Sequence, residues 1–235
     1  MRKMVMSNFI IFLLSAVFVL SVLGVSAQDL DGDPENWCRN GLFPLESNFK
    51  TATVIGKRSA KVYFLNDFDD CPRAGNRNCI TKSYVVPGDR LIVTRKYGEW
   101  ICAWYEPLKG DETVGWIRAE SLVVKEPENA PAPAEWIGRW TDTDSFLKIK
   151  KDKRRAFLNV NGEAIWRGLS DNIHYGGITA KAKPSGNELI LQEEDCRVRL
   201  TLVGDLLIAS DNFQCGGANV RFVGVYRKRT NGWQR

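Results

Sequence analysis

Short runs of alternating apolar and polar residues recur along the chain after residue 27, and Gly, Asn, Asp and Pro bound most of them. Alternation with a period of two places the apolar side chains on one face of a β-strand. No long stretch of this region has the three-to-four-residue apolar spacing of an amphipathic helix. The pattern therefore predicts an all-β protein with two groups of strands.

The first group of strands is predicted within residues 50–125, where it forms a small β-barrel. Residues 52–56 and 61–64 are predicted to be the first strand and its continuation. Residues 65–81 are too polar for a strand and are predicted to form a long excursion between strands. Residues 119–122 predict a short helical turn that leads into a last strand. Four strands joined by glycine-containing turns are predicted in between, at 82–86, 90–96, 100–105 and 113–118.

The second group of strands is predicted within residues 135–229. Asn161-Gly162 lies between two alternating runs and is typical of a two-residue hairpin turn. Gly204-Asp205 occupies the same kind of position. Eight or nine sequential strands would avoid exposed edges by closing on themselves, which predicts an up-and-down antiparallel β-barrel with an interior filled by side chains. Further turns are predicted at 142–144, 184–187 and 194–195.

Three segments lie outside the two barrels. Residues 126–134 are rich in proline and predict a semi-rigid extended linker. Residues 28–49 begin with acidic residues that we expect to be solvated, whereas Trp37 and Cys38 indicate that the segment is packed on the first barrel. Residues 230–235 are predicted to be a tail.

The start of the chain is typical of a cleavable secretory signal peptide. Arg2 and Lys3 precede an apolar run at 9–25, and small residues follow up to Ala27. A membrane anchor is the alternative, but a spanning helix needs about 20 apolar residues. We therefore expect residues 1–27 to be removed, which leaves a periplasmic or secreted protein with no stable membrane anchor.

Removal of residues 1–27 lowers the net charge from +5 to +3, because 31 basic side chains remain against 28 acidic ones. A charge this small does not favour nucleic acid as a partner. The remaining 208 residues (235 minus 27) suit one or two domains.

All six cysteines lie after residue 27, and an even number in an exported protein predicts three disulfides. The chain has no Cys-x-x-Cys pair and a single histidine, so neither a metal nor another cofactor is expected. Cys71 and Cys79 flank a short Pro-, Gly- and Asn-containing stretch, which favours a local disulfide that holds the excursion. The alternative is that each of them pairs elsewhere.

A turn at Gly204-Asp205 sets the pairing of the remaining cysteines. If Val203 faces Leu206, then Cys196 faces a position two residues before Cys215, within reach of a disulfide after a small bulge. The sequence therefore predicts a Cys196–Cys215 bond. Cys38 and Cys102 then pair by elimination.

Three short motifs of the first group occur in the order Gly-Asp-x-Leu at 88–91, Gly-x-Trp at 98–100 and Gly-Trp-Ile at 115–117. In this order they resemble a bacterial SH3-like (SH3b) domain over about 70 residues. The resemblance implies a non-catalytic barrel that binds cell-wall or peptide ligands in a groove beside its long first loop. The alternative for Trp100 and Trp116 is a place in the barrel core. The groove residues that the resemblance implies are Tyr63, Asp67, Asp69, Asp70, Trp104, Tyr105 and Trp116.

Two motifs of the second group also carry resemblances. Gly-x-Trp at 138–140 resembles the start of lipocalin-like (calycin) barrels. The Asp-Asn…Cys-Gly-Gly-x-Asn-Val motif at 211–220, followed by Phe-x-Gly-x-Tyr at 222–226, resembles uncharacterised exported bacterial domains. In the functional interpretation, the Gly pairs bring the backbone close to a partner. In the structural alternative, the Asp and Asn residues cap turns and the Gly residues supply unusual dihedral angles. The candidate rim residues are His174, Tyr175, Asp211, Asn212, Gly216, Gly217 and Asn219.

The sequence offers few candidate catalytic residues. A catalytic triad would have to use His174, and a nucleophilic cysteine would have to be unpaired. The acid pairs Asp69-Asp70 and Glu193-Glu194 could in principle hydrolyse a glycoside, but adjacent acids on turns are normally solvated. No phosphate-binding glycine loop or dinucleotide motif occurs.

The sequence thus predicts an exported, non-catalytic binding protein whose SH3b-like module recognises cell-envelope material of the peptidoglycan type or a peptide. The alternative is an exported inhibitor or immunity protein that blocks an enzyme or toxin. The third hypothesis is an envelope hydrolase that uses an acid pair. In each case the partner is a cell-wall ligand, a peptide or a protein, and nucleic acid is not expected.

Overall fold

The computed structural model describes residues 33–73, 77–127, 130–154, 156–169 and 171–229. The signal peptide predicted at 1–27 and the tail predicted at 230–235 lie outside these residues. Among the helices of the described residues, none has the length and apolar character needed to cross a membrane.

The first antiparallel sheet has seven strands in the order β3-β2-β6-β5-β4-β1-β7. A 3-10 helix at Ala119–Ser121 leads into its last strand, as predicted. The strands are β1 Lys50–Val54, β2 Val62–Leu65, β3 Ile80–Val85, β4 Arg90–Tyr97, β5 Trp100–Tyr105, β6 Thr113–Arg118 and β7 Leu122–Lys125. The prediction that the second strand continues the first was wrong, because β1 pairs with β4 and β7 whereas β2 pairs with β3 and β6.

The second antiparallel sheet has eight strands in the order β11-β10-β9-β8-β15-β14-β13-β12. They are β8 Gly138–Thr141, β9 Ser145–Lys151, β10 Leu158–Arg167, β11 Ile173–Ala182, β12 Glu188–Glu193, β13 Cys196–Val203, β14 Leu206–Asp211 and β15 Gly224–Lys228. A short helix, α1 Pro133–Trp136, precedes β8. Because β15 pairs with β8, the sheet nearly closes and leaves one gap between β11 and β12. The predicted all-β class with a sequential antiparallel barrel is confirmed.

The hairpin turn predicted at Asn161-Gly162 was wrong. Both residues lie within β10, where Gly162 pairs with Leu147 on β9 and Ile178 on β11. A Cβ atom on Gly162 would lie 2.7 Å from Leu147 Cδ2 and 3.0 Å from Cε1 of Phe222. The glycine therefore permits close packing inside the barrel, a role that the dipeptide alone does not reveal.

The other predicted turns are present. Val203 pairs with Leu206 across Gly204-Asp205, as the predicted register requires. The turns predicted at 142–144, 184–187 and 194–195 each separate consecutive strands of the second sheet.

Three disulfides tie the described chain together. Cys38 is bonded to Cys102 and Cys71 to Cys79, with Cα–Cα distances of 5.6 and 5.5 Å. Cys196 is bonded to Cys215 with a Cα–Cα distance of 4.5 Å. These are the predicted pairs, and three bonded pairs are consistent with an oxidising, exported compartment.

Each barrel has an apolar interior, and a third apolar cluster lies between the barrels. The outer face of the first sheet supplies Trp100, Trp104 and Trp116 to this cluster. The N-terminal segment adds Phe43 and Phe49. The outer face of the second barrel contributes three residues, Val203, Ile208 and Val225. The two barrels and the N-terminal segment therefore share one core, which we call the shared core.

Candidate functional site

Two predicted groove residues are buried beneath the N-terminal segment. Trp116 is 0% exposed, and its indole Nε1 donates a hydrogen bond of 2.7 Å to the backbone oxygen of Asn36. Asp67 Oδ2 accepts bonds of 2.7 Å from the backbone N–H of Cys38 and from Nε of Arg39. These two side chains therefore bind the protein's own segment in this structure.

Arg95 on β4 holds the same segment, and the sequence analysis did not identify it. Its guanidinium donates to the backbone oxygens of Glu35, at 2.6 Å, and Trp37, and its Nε donates to Glu46 Oε1 at 2.7 Å. The guanidinium also lies over the Trp116 ring, 5.5 Å from the centroid. A strand arginine carries no sequence signal for such a role, because its partners are about 50 to 60 residues away in the chain.

The remaining predicted groove residues have different surroundings. The Tyr63 ring packs against Tyr84 on β3, with centroids 5.6 Å apart. Burial, together with the nearby Asp89 carboxylate, raises the pKa of Tyr105. Trp104 lies in the cavity described below. The two acids Asp69 and Asp70 are exposed on the excursion.

The predicted rim residues lie together and anchor one loop. Residues 212–223, which we call the clasp loop, connect β14 to β15. Gly216 forms a β-bridge with Gly176 on β11, and the Gly217 N–H donates to the backbone oxygen of Tyr175 at 3.2 Å. The Nδ1–H of His174 donates to the backbone oxygen of Ala218 at 2.6 Å. One side of the clasp loop is therefore bound to the edge strand β11.

The other side of the clasp loop is bound to the hairpin between β12 and β13. Asn212 Oδ1 accepts from the backbone N–H of Arg197 at 3.0 Å, and its Nδ2 donates to the backbone oxygen of Asp195 at 2.7 Å. The Cys196–Cys215 disulfide adds a covalent bond at the same place. The loop thus bridges the gap between β11 and β12, where the sheet itself does not close.

Two motif residues fix the ends of the clasp loop. Asp211 accepts from the backbone N–H groups of Phe213, at 2.9 Å, and Phe222, at 2.5 Å. The Tyr226 hydroxyl donates to the backbone oxygen of Phe222 at 2.9 Å, and burial raises its pKa. Asn219 adopts a positive φ of 65°. The resemblance motif at 211–226 therefore coincides with the residues that build this loop.

A cavity of about 650 Å³ lies where the two barrels meet, and we call it the cleft. Its apolar lining includes Trp104 and Trp140, which are only 4% and 1% exposed, so little of either indole is open to the cavity. Its charged lining residues are Arg90, Arg227, Lys228, Glu106, Glu135 and Asp205. The cleft thus combines a largely buried apolar wall with side chains of both signs of charge. Among the described residues that line it there is no His, Cys or Ser.

Ion pairs across the cleft join the two barrels. Arg227 of the second barrel pairs with Glu106 of the first, and its guanidinium lies 5.6 Å from the centroid of the Trp104 ring. Arg90 of the first barrel pairs with Asp205 of the second at 3.5 Å. Each barrel therefore supplies one cation and one carboxylate to these two ion pairs.

Burial shifts the pKa values of two titratable groups near the cleft. Burial lowers the pKa of Lys228, whose Nζ donates to the backbone oxygens of Ala134 at 3.3 Å and Glu135 at 2.6 Å. Burial also raises the pKa of Asp142, and the Glu112 carboxylate adds to the effect. Both shifts follow from partial burial, which disfavours the charged form of each group.

The described residues contain no group of three or more His, Cys, Asp or Glu side chains placed to hold a metal ion. Of the acids considered for glycoside hydrolysis, Glu193 uses its Oε2 to accept from the Thr179 N–H at 2.6 Å. This bond links β12 to β11 across the gap of the second barrel.

Three comparisons were made with known proteins. No protein-family model matches the chain, and neither the curated proteins nor the solved structures contain a match.

Proposed function

We propose that the protein is a periplasmic or secreted, non-catalytic binding protein, and that its ligand binds in the cleft between the two barrels. The observation that carries the proposal is the convergence of three cations and three carboxylates on one cavity of about 650 Å³ that also has an apolar wall. Concave sites with apolar walls and a few convergent polar groups are the usual form of small-ligand sites.

The ligand that suits this lining is a short peptide or a peptide-bearing cell-envelope fragment of the peptidoglycan type. Such a ligand carries both carboxylates and amines, which can replace the partners in the Arg227–Glu106 and Arg90–Asp205 pairs. Its apolar side chains can pack on Leu206, the half-buried apolar residue of the lining, because apolar contact removes that side chain from water.

The same ligand class follows from the SH3b resemblance, but the proposed position differs. The groove that the resemblance implies includes Asp67 and Trp116, and the N-terminal segment already binds both. Trp104 is the implied groove residue that lines the cleft. We therefore place the ligand at the Trp104 end of the first barrel.

Titration of the full processed chain with soluble peptidoglycan fragments tests the proposal, with tryptophan fluorescence and calorimetry as readouts. We expect Arg227→Ala to weaken binding by about tenfold, the loss of one charge-assisted contact. Arg118→Ala is the matched control, because Arg118 also pairs with a glutamate, Glu99, and also lies over an indole, 4.6 Å from the Trp100 centroid, outside the cleft. Equal affinities for the two variants would place the ligand elsewhere, and absence of binding to the wild-type chain would reject the ligand class.

A second candidate function is inhibition of another protein, and one surface favours it. Tyr63, Phe68, Ile80 and Tyr84 are each at least 40% exposed on or beside the β2–β3 hairpin, whose excursion the Cys71–Cys79 disulfide holds. A preorganised aromatic surface loses little entropy on binding. The test is whether the full processed chain captures a soluble envelope protein. Capture that is lost in Tyr84→Ala and kept in Arg227→Ala would favour this function over the first.

A further inference from the structure

A basic groove lies on the outer face of the second barrel, away from the cleft. It has a volume of about 490 Å³ and shares no lining residue with the cleft. The strand register places Lys148, Asn161 and Thr179 in one row across β9, β10 and β11. The next row is formed by Lys150, Asn159 and Lys181. We call these six residues the basic face.

Carboxylates contact this face at two places, Asp152 beside Lys181 and Glu193 at the backbone N–H of Thr179. Neither Lys148 nor Lys150 forms an ion pair with a carboxylate of the described residues. Lys181 Nζ pairs with Asp152 Oδ2 at 2.8 Å. Asp152 also accepts from Asn159 Nδ2 at 2.9 Å, so this one carboxylate positions two residues of the face. Arg139 on β8 stands beside Lys148 in the register and extends the cationic surface.

The spacing of the lysines suits a polymer better than a single small anion. Residues two apart on a strand are separated by about 7 Å, which applies to Lys148 and Lys150. Lys150 and Lys181 are two strands apart, which corresponds to about 10 Å. A single carboxylate or sulfate group contacts all three ammonium groups only if the long side chains converge on it, and Lys181 Nζ is already paired with Asp152. Successive anionic groups along a chain contact the three lysines without such convergence.

The side chains between the lysines indicate which polymer fits. Asn161 Nδ2 donates to Thr179 Oγ1 at 3.1 Å, and amide and hydroxyl groups of this kind can bind sugar hydroxyls. The lining of the groove, as far as the described residues form it, contains no aromatic side chain on which a nucleic-acid base could stack. It also contains no large apolar side chain that could insert into a membrane.

We propose that the basic face binds an anionic glycan. The glycan would run across β9, β10 and β11, with its anionic groups at the lysines and its hydroxyls at Asn159, Asn161 and Thr179. This binding site is independent of the ligand proposed for the cleft.

Heparin oligosaccharide, a glycan with regularly spaced anionic groups, is the probe for the test with the full processed chain. We expect Lys148→Gln/Lys150→Gln to weaken binding by about tenfold and to reduce the slope of log affinity against log salt by about two. Lys82→Gln/Lys96→Gln is the matched control, because it removes the same charge from exposed positions of the first sheet. The control should bind as the wild type does.

Several outcomes would overturn the proposal. Equal losses in the two double variants would show that binding follows net charge and not the basic face. Tighter binding to single-stranded DNA or to anionic vesicles than to heparin would reject a glycan. Absence of heparin binding by the folded wild type would reject the site. Arg227→Ala should leave heparin affinity unchanged, so a failure here is distinguishable from a failure of the cleft proposal.

Discussion

Gly162 illustrates how one absent side chain determines packing in the second barrel. Leu147, Ile178 and Phe222 approach the position where its Cβ would stand to 2.7, 3.2 and 3.0 Å. Gly177 lies on the neighbouring strand with the outward orientation, and the nearest atom to its Cβ position is 3.5 Å away. The two strand glycines thus differ in the free space around their Cβ positions, because Gly162 faces the core and Gly177 faces solvent.

Gly162→Ala should therefore destabilise the protein by about 1–3 kcal/mol through overpacking, as measured by urea unfolding. Gly177→Ala is the control and should change the free energy of unfolding by less than about 0.5 kcal/mol. Similar effects of the two substitutions would contradict the interior position of Gly162.

Asp152 is the residue whose ionisation we expect to affect stability at low pH. The Lys181 ammonium, the backbone N–H of Arg154 and the side chain of Asn159 hydrogen-bond to its carboxylate and lower its pKa. A carboxyl group with a lowered folded-state pKa stabilises the protein above its unfolded pKa of about 3.9. This contribution is lost as the pH falls through the lowered pKa.

Asp152→Asn should consequently lower the free energy of unfolding at pH 6, and the difference from the wild type should shrink as the pH falls below about 4. Urea unfolding at a series of pH values measures it. Asp111→Asn, on an exposed loop, is the control and should change the free energy of unfolding at pH 6 by less than about 0.5 kcal/mol. A difference for Asp152→Asn that stays constant down to pH 2.5 would argue against the ionic role.

At the scale of secondary-structure elements, the clasp loop bridges the gap that the strands of the second sheet leave open. The second sheet has a gap between β11 and β12, and the loop bridges it through the Gly176–Gly216 contact and the Cys196–Cys215 disulfide. A Cβ atom on Gly216 would lie 2.5 Å from Gly176 Cα. The paired glycines are therefore needed for the close approach of two backbones, and the Cys-Gly-Gly motif has a clear structural role.

Cys196→Ser/Cys215→Ser should destabilise the protein by about 3 kcal/mol and speed hydrogen exchange in β11 and β12 under native conditions. Cys71→Ser/Cys79→Ser removes a disulfide of the other barrel, and exchange should then increase around the excursion instead. If the first variant left exchange in β11 and β12 unchanged, the disulfide would not be what secures the gap.

At the scale of the whole molecule, the shared core makes the two barrels depend on each other. Ile208 on the outside of the second barrel is 1% exposed because it packs in this core. Ile190 also points outward, on β12, but it is 38% exposed. Proline-rich residues 126–134 therefore connect two barrels that are already in contact.

We expect the wild-type protein to unfold in a single calorimetric transition, since separate unfolding would expose the shared core. Ile208→Asp should destabilise it by about 3 kcal/mol or more and broaden or split that transition, because it buries an unpaired charge between the barrels. Ile190→Asp should leave one transition near the wild-type temperature. Two well-separated transitions in the wild type would contradict coupling through the shared core.

The sequence by itself determined the all-β class, the pairing across Gly204-Asp205 and the three disulfides. These features follow from the alternation of apolar and polar residues, from the turn residues and from the spacing of the cysteines. The first two signals are local in sequence, and six cysteines allow few plausible pairings. Only the tertiary structure decided that Trp116 is covered, that Trp104 lines a cleft and that Gly162 lies inside a strand. The physical reason is that segments distant in sequence decide whether the outer face of a strand is buried or exposed. The alternation of apolar and polar residues within the strand does not specify those segments.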